Sequence, residues 1–100
     1  MDKKYTYNSH RHTYTVTIRK AQYENRRTAL LLESVEDGSP VATATVNVPE
    51  IPLGADQVLI KTWGENEAML PFLVLNHVVL DLGLEVPCGY VTARLCRLLI

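Results

Sequence analysis

The chain of 100 residues has the length of one domain, and its 47% apolar and 21% charged residues are a globular composition that excludes intrinsic disorder. No stretch approaches the ~20 apolar residues that span a bilayer, and a net charge of −1 argues against a strong electrostatic footprint on nucleic acid or an acid-dense mimic of it. The charge is unevenly placed: residues 1–27 carry net +5 and residues 28–100 net −6.

A single α+β domain over residues 1–100 is expected, with residues 1–11 as a flexible N-terminal segment. Met1 to Tyr7 start charged and have no apolar run behind them, so they are not read as a signal peptide and a cytoplasmic location is expected. From His12 to Lys20 the residues alternate, with Tyr14, Val16 and Ile18 on one face and threonines on the other, the pattern of a half-buried antiparallel strand. Ala29 to Leu32 begin a second strand, with Leu31 opposite Leu30 and Leu32. Asp37-Gly38 signals a tight turn.

A third strand runs from Ala42 to Val48, where Ala42, Ala44, Val46 and Val48 share a face. Pro49 and Pro52 end it, because proline cannot donate to a ladder. Val58 to Thr62 form a short fourth strand. A helix opens near Trp63-Gly64-Glu65-Asn66-Glu67, with Asn66 or Gly64 as its cap and Glu65 and Glu67 placed where a helix N-terminus favours negative charge. Met69, Leu70, Leu73, Val74 and His77 form its apolar row, Phe72 and Leu75 fall off that row, and Pro71, if beyond the first turn, would kink the helix. Asp81-Leu82-Gly83 and Pro87-Cys88-Gly89 are turn candidates, with strands at Leu84 to Val86 and Tyr90 to Leu99. The predicted architecture is one antiparallel sheet of five to six strands in the order β-β-β-β-α-β-β, with the helix on one face.

The blocks Glu36-Asp37-Gly38-Ser39-Pro40, Thr45-Val46-Asn47-Val48-Pro49, Glu65-Asn66-Glu67-Ala68-Met69-Leu70, Val86-Pro87-Cys88-Gly89-Tyr90-Val91 and Leu95-Cys96-Arg97-Leu98-Leu99 resemble a domain-of-unknown-function family of short proteins. That family is carried on conjugative and integrative mobile elements of gut bacteria, mainly Firmicutes. The resemblance runs from about Tyr14 to Leu99 and implies a bacterial, cytoplasmic protein of a mobile element. It carries over no catalytic residue. The chain departs from the family pattern at Pro71 and between Val78 and Leu84, which is more apolar than the polar turn expected there.

No catalytic, cofactor or metal site is legible. His10 and His12 share a strand face but lack a third ligand nearby, and Cys88 and Cys96 are neither C-x-x-C nor, were the chain between them extended, within disulfide reach. Ser34 and Ser39 have no nucleophile-elbow context, and no glycine-rich phosphate loop exists. The apolar surplus is the stronger signal. Leu31, Leu98, Leu99 and Ile100, with Trp63 beside Glu65 and Glu67, are the expected protein-partner or homodimer contacts. The primary reading is thus a non-enzymatic interaction protein of a mobile element, with inhibition of a host defence complex as its specific version and no small-molecule ligand or membrane partner. One alternative is a single-stranded nucleic-acid binder using Arg11, Arg19, Arg26 and Arg27 among tyrosines. Another is a small enzyme, which requires His12, His77, Cys88 or Glu67 to converge.

Overall fold

The computed structural model describes residues 3–9 and 12–100. Strands β1 (Lys4–Asn8), β2 (Thr13–Gln22), β3 (Thr28–Ser34) and β4 (Pro40–Thr43) form an antiparallel sheet in chain order. Strands β5 (Gln57–Lys61), β6 (Val79–Cys88) and β7 (Val91–Leu98) form a second, in the order β5-β7-β6, and helix α1 (Met69–Leu75) lies between β5 and β6 in the chain. The α+β class holds. The expected single sheet of five to six strands is instead two, of four and three strands.

The reason lies just after β4. The Ala44 N–H still donates to the Leu30 carbonyl at 2.9 Å, but the Val46 N–H donates to Leu59 at 3.0 Å and the Ala44 carbonyl accepts from Lys61 at 2.9 Å. The chain therefore leaves one sheet and stitches to the next, with Thr45 opposite Ile60. The alternation expected through Val48 breaks here, and both Ala44 and Thr45 are buried. Thr45 is tolerated because its hydroxyl shares a 2.8 Å hydrogen bond with the Tyr23 hydroxyl and accepts from the Leu30 N–H at 3.3 Å.

The stretch expected to be a flexible lead-in supplies β1. Tyr5 pairs with Val16 and Tyr7 with Tyr14, which turns both tyrosines inward. Their rings meet Phe72 of α1 edge-on, with centroids 6.1 and 5.0 Å away, a favoured aromatic geometry. One core joins all three layers: Val16, Leu30 and Leu32 from the first sheet, Val58, Ile60 and Cys96 from the second, and Met69 and Leu73 from α1.

The helix is shorter than expected. Gly64–Asn66 form a single 3₁₀ turn, and Trp63 rather than Asn66 or Gly64 occupies its N-cap. Asn66 instead donates its side-chain amide to the Thr43 carbonyl at 2.8 Å. Glu65 lies in that turn, while the first turn of α1 holds no acid. Pro71 is the third residue of α1, inside the first turn, where an N–H has no intrahelical partner to lose. The inward residues are Met69, Phe72 and Leu73; Leu75 is 79% exposed, Val74 is also exposed, and the expected apolar row is rotated accordingly.

The helix ends on a left-handed residue. His77 has φ 58°, its N–H reaches the Val74 carbonyl at 3.1 Å, and the Val78 N–H reaches Leu73 at 2.9 Å, the paired bonds of a Schellman cap. Glycine is the residue this position favours, since a side chain there is strained. His77→Gly is expected to stabilise the protein by about 0.5–1 kcal/mol, read by urea unfolding. A loss of stability would contradict the cap assignment.

The β6–β7 hairpin also differs from expectation. Cys88 pairs with Val91, leaving the two-residue turn Gly89-Tyr90 with Gly89 at φ 67°, the first-position glycine of a II′ hairpin. Asp81-Leu82-Gly83, expected as an inter-strand turn, is a bulge inside β6: the register slips between Asp81 and Leu84, and the Gly83 N–H donates to Asp81 Oδ1 at 2.9 Å.

Candidate functional site

Two surfaces stand out. The first is the outer face of the three-stranded sheet. Pairing aligns Leu59 on β5, Leu95 on β7 and Leu84 on β6 in one row across the strands, flanked by rows Gln57, Arg97, Leu80 and Lys61, Ala93, Val86. This face is opposite Cys96 and Val79, which belong to the core. Exposure rises along the leucine row: Leu59 is 1% exposed, Leu95 is half-buried and Leu84 is 58% exposed, with Leu80 beside it at 47%.

The face continuing the core side of the same hairpin is polar. Arg94 grips Asp81 through two bonds, at 3.3 and 2.9 Å, and reaches Glu85 at 3.6 Å. The Gly83 N–H, with help from Arg94, holds the Asp81 carboxyl below the usual carboxylate range against the opposing effect of partial burial. In this hairpin Asp81, Glu85 and Arg94 thus lie on the core side, while Leu80, Leu84 and Leu95 share the outer side with Arg97. An isolated sheet would put them the other way round.

The second surface is a cleft of about 540 Å³ between the first sheet and the 3₁₀ turn, lined by Tyr7, Ser9, His12, Tyr14, Val41, Ala42, Gly64 and Glu65. The His12 and Tyr14 rings meet in a tilted arrangement, centroids 4.4 Å apart and planes 56° apart. The Tyr7 hydroxyl donates to the Glu65 backbone carbonyl at 3.4 Å. Burial pushes the Tyr7 phenol above its ordinary pKa, and the negative charge of Glu65 and then Tyr14 push it the same way, so it stands as a neutral donor.

The residues expected to meet a partner are dispersed. Leu98 is half-buried and packs against the core. Leu31 is half-buried on the outer side of β3, opposite Arg19 and Thr43. Trp63 is half-buried at the head of the 3₁₀ turn, where Glu65 and Glu67 are exposed. Leu99 and Ile100 are exposed beyond β7, with the Ile100 carbonyl accepting from the Lys20 ammonium at 3.1 Å. Leu80 and Leu84 were missed, although the unexpectedly apolar run from Val78 to Leu84 was their signal.

The arginines of the nucleic-acid alternative do not form a patch. Arg11, like His10 of the histidine pair, lies outside the described residues. Arg19 pairs with Glu33 at 3.2 Å, and Arg26 sits at φ 68° in the β2–β3 turn. Arg27 is structural: its guanidinium donates to the carbonyls of Val48 at 2.7 Å, Pro49 at 3.4 Å and Ile51. Of the residues the enzyme alternative needs together, His12 lines the cleft and His77, Cys88 and Glu67 do not. Among the described residues no group of three or more His, Cys, Asp or Glu could hold a metal ion, and no helix is long and apolar enough to cross a membrane.

Both cysteines are free thiols, and the chain between them is the Gly89-Tyr90 turn followed by residues 91–95 of strand β7. Burial first, then the Asp81 charge, pushes the Cys96 thiol up to about 12 against the opposing pull of Arg94. Cys88 is half-buried near the hairpin tip. A thiol reagent at neutral pH is therefore expected to label Cys88 alone in the native protein and Cys96 only after unfolding. Two rapidly labelled thiols would contradict the placement of Cys96 in the core.

Comparison with family models, curated proteins and solved structures finds no match to this chain.

Proposed function

We propose that this domain is a non-enzymatic interaction protein whose binding surface is the outer face of the three-stranded sheet, with a second copy of the chain as its partner. The observation that carries this is the leucine row that becomes steadily more exposed toward β6 and ends at Leu84, 58% exposed beside Leu80. Two such faces can stack on each other as in a β-sandwich, about 10 Å apart. A two-fold contact needs only one self-complementary patch.

Pairing of β6 edges is the less suitable route. That edge carries a bulge at Leu82-Gly83 and Pro87 near its end, devices that discourage strand addition. The resemblance of the sequence blocks to mobile-element proteins motivates the wider role: an accessory factor of such an element, in the cytoplasm of a bacterium, with inhibition of a host defence complex as the specific version.

Size-exclusion with light scattering, run from micromolar to millimolar protein, tests the binding surface. The wild type should pass from monomer to dimer, and Leu84→Glu should remain monomeric with an unchanged melting temperature. A wild type that stays monomeric throughout, or a Leu84→Glu variant that dimerises equally well, would overturn the proposal.

A further inference from the structure

We infer that the cleft between the first sheet and the 3₁₀ turn is a binding site for an arginine side chain presented by a partner protein. It stands on a different surface from the sheet face, since none of its lining residues belongs to β5, β6 or β7, and does not depend on self-association. Three features of the lining select the ligand.

The first is charge. Among the described residues, Glu65 is the only carboxylate lining the cleft, no lysine or arginine joins it there, and Glu65 has no salt-bridge partner. Its negative charge already reaches the neighbouring phenol of Tyr7. A cation entering here would complement a charge that now faces solvent, whereas an anion would be repelled. The second is the aromatic wall of Tyr14 and His12. A guanidinium is planar and weakly hydrated, so it stacks on rings, and its fork matches a carboxylate through two bonds. An ammonium does neither as well.

The third is the acceptor geometry around Glu65. The Tyr7 hydroxyl donates to the Glu65 main-chain carbonyl, which ties the turn to β1 and, among the described residues, leaves the carboxylate itself without an ion-pair partner. The cleft volume of about 540 Å³ falls within the range of ligand pockets and can admit a side chain with part of its backbone.

The test is a titration of the full chain with four capped tripeptides, Gly-X-Gly with X as arginine, lysine, citrulline or glutamate, followed by amide NMR. The arginine peptide should shift Tyr7, Tyr14, Gly64 and Glu65, lysine should bind several-fold more weakly, and citrulline and glutamate should leave those signals in place. Glu65→Gln, an exposed change that leaves the fold intact, should weaken the arginine peptide roughly fivefold or more. Equal binding of citrulline and arginine, shifts that map elsewhere, no shifts at all, or undiminished binding by Glu65→Gln would each overturn the assignment.

Discussion

Tyr7→Ala is expected to cost about 3–5 kcal/mol, the loss seen when a buried ring is deleted from a packed core. Tyr7 is 1% exposed, and its ring fills the join between β1 and α1 with Phe72 at 5.0 Å. Deletion opens a cavity beside Phe72 and weakens the hold on β1, an edge strand of five residues that pairs on one side only. Against a total stability of about 5–15 kcal/mol for an ordinary domain, the loss should lower the melting temperature by more than ~10 °C. Tyr7→Phe is the control. It keeps the ring and gives up only a long 3.4 Å hydrogen bond, so it should cost less than ~1 kcal/mol. Similar losses for the two variants in urea unfolding would show that the ring packing is not what matters.

Arg27→Ala is the second large effect, expected at about 2–3 kcal/mol, the scale of charge-assisted hydrogen bonds lost from partly buried acceptors. The guanidinium gathers the carbonyls of Val48, Pro49 and Ile51, in a loop where Pro49 and Pro52 prevent the backbone from pairing as a strand. Without Arg27 the carbonyls that it holds lose their charged donor. Arg27→Lys keeps the charge but cannot present several donors from one plane, so it should recover less than half of the loss. Full recovery by lysine would mean that charge, and not the fork, holds the loop. Salt should change the Arg27→Ala loss little, because the contacts are to carbonyls and not to a charged partner.

Much of the fold was readable where side chains alternate. Tyr14, Val16 and Ile18 marked β2, Leu30 and Leu32 marked β3, and Asp37-Gly38 marked the turn, with Gly38 at φ 72°. Alternation says which residues share a face. It does not say which strands are neighbours, and so the switch of Ala44 to Val46 from one sheet to the other was invisible. The tyrosines of β1 did alternate, but two aromatic residues directly behind Lys3 and Lys4 are too short a signal to outweigh the charged start. Phe72 was set aside by a row anchored on Val74 and His77, because the cap at His77 that ends the helix depends on backbone geometry. The cleft draws on three separate stretches of chain, so no local pattern could reveal it. Arg27 looked like any basic group near the N-terminus; only the folded loop supplies the carbonyls that occupy it.

The sheet-face proposal can be tested at the residues themselves by methyl NMR of the 100-residue chain over a dilution series. Leu80, Leu84 and Leu95 should move together as the concentration rises, while Leu30 and Leu32, sealed in the shared core, hold their positions. Leucine methyls on the sheet face that stay fixed up to millimolar protein, or movement confined to Val74 and Leu75 on the helix, would contradict it.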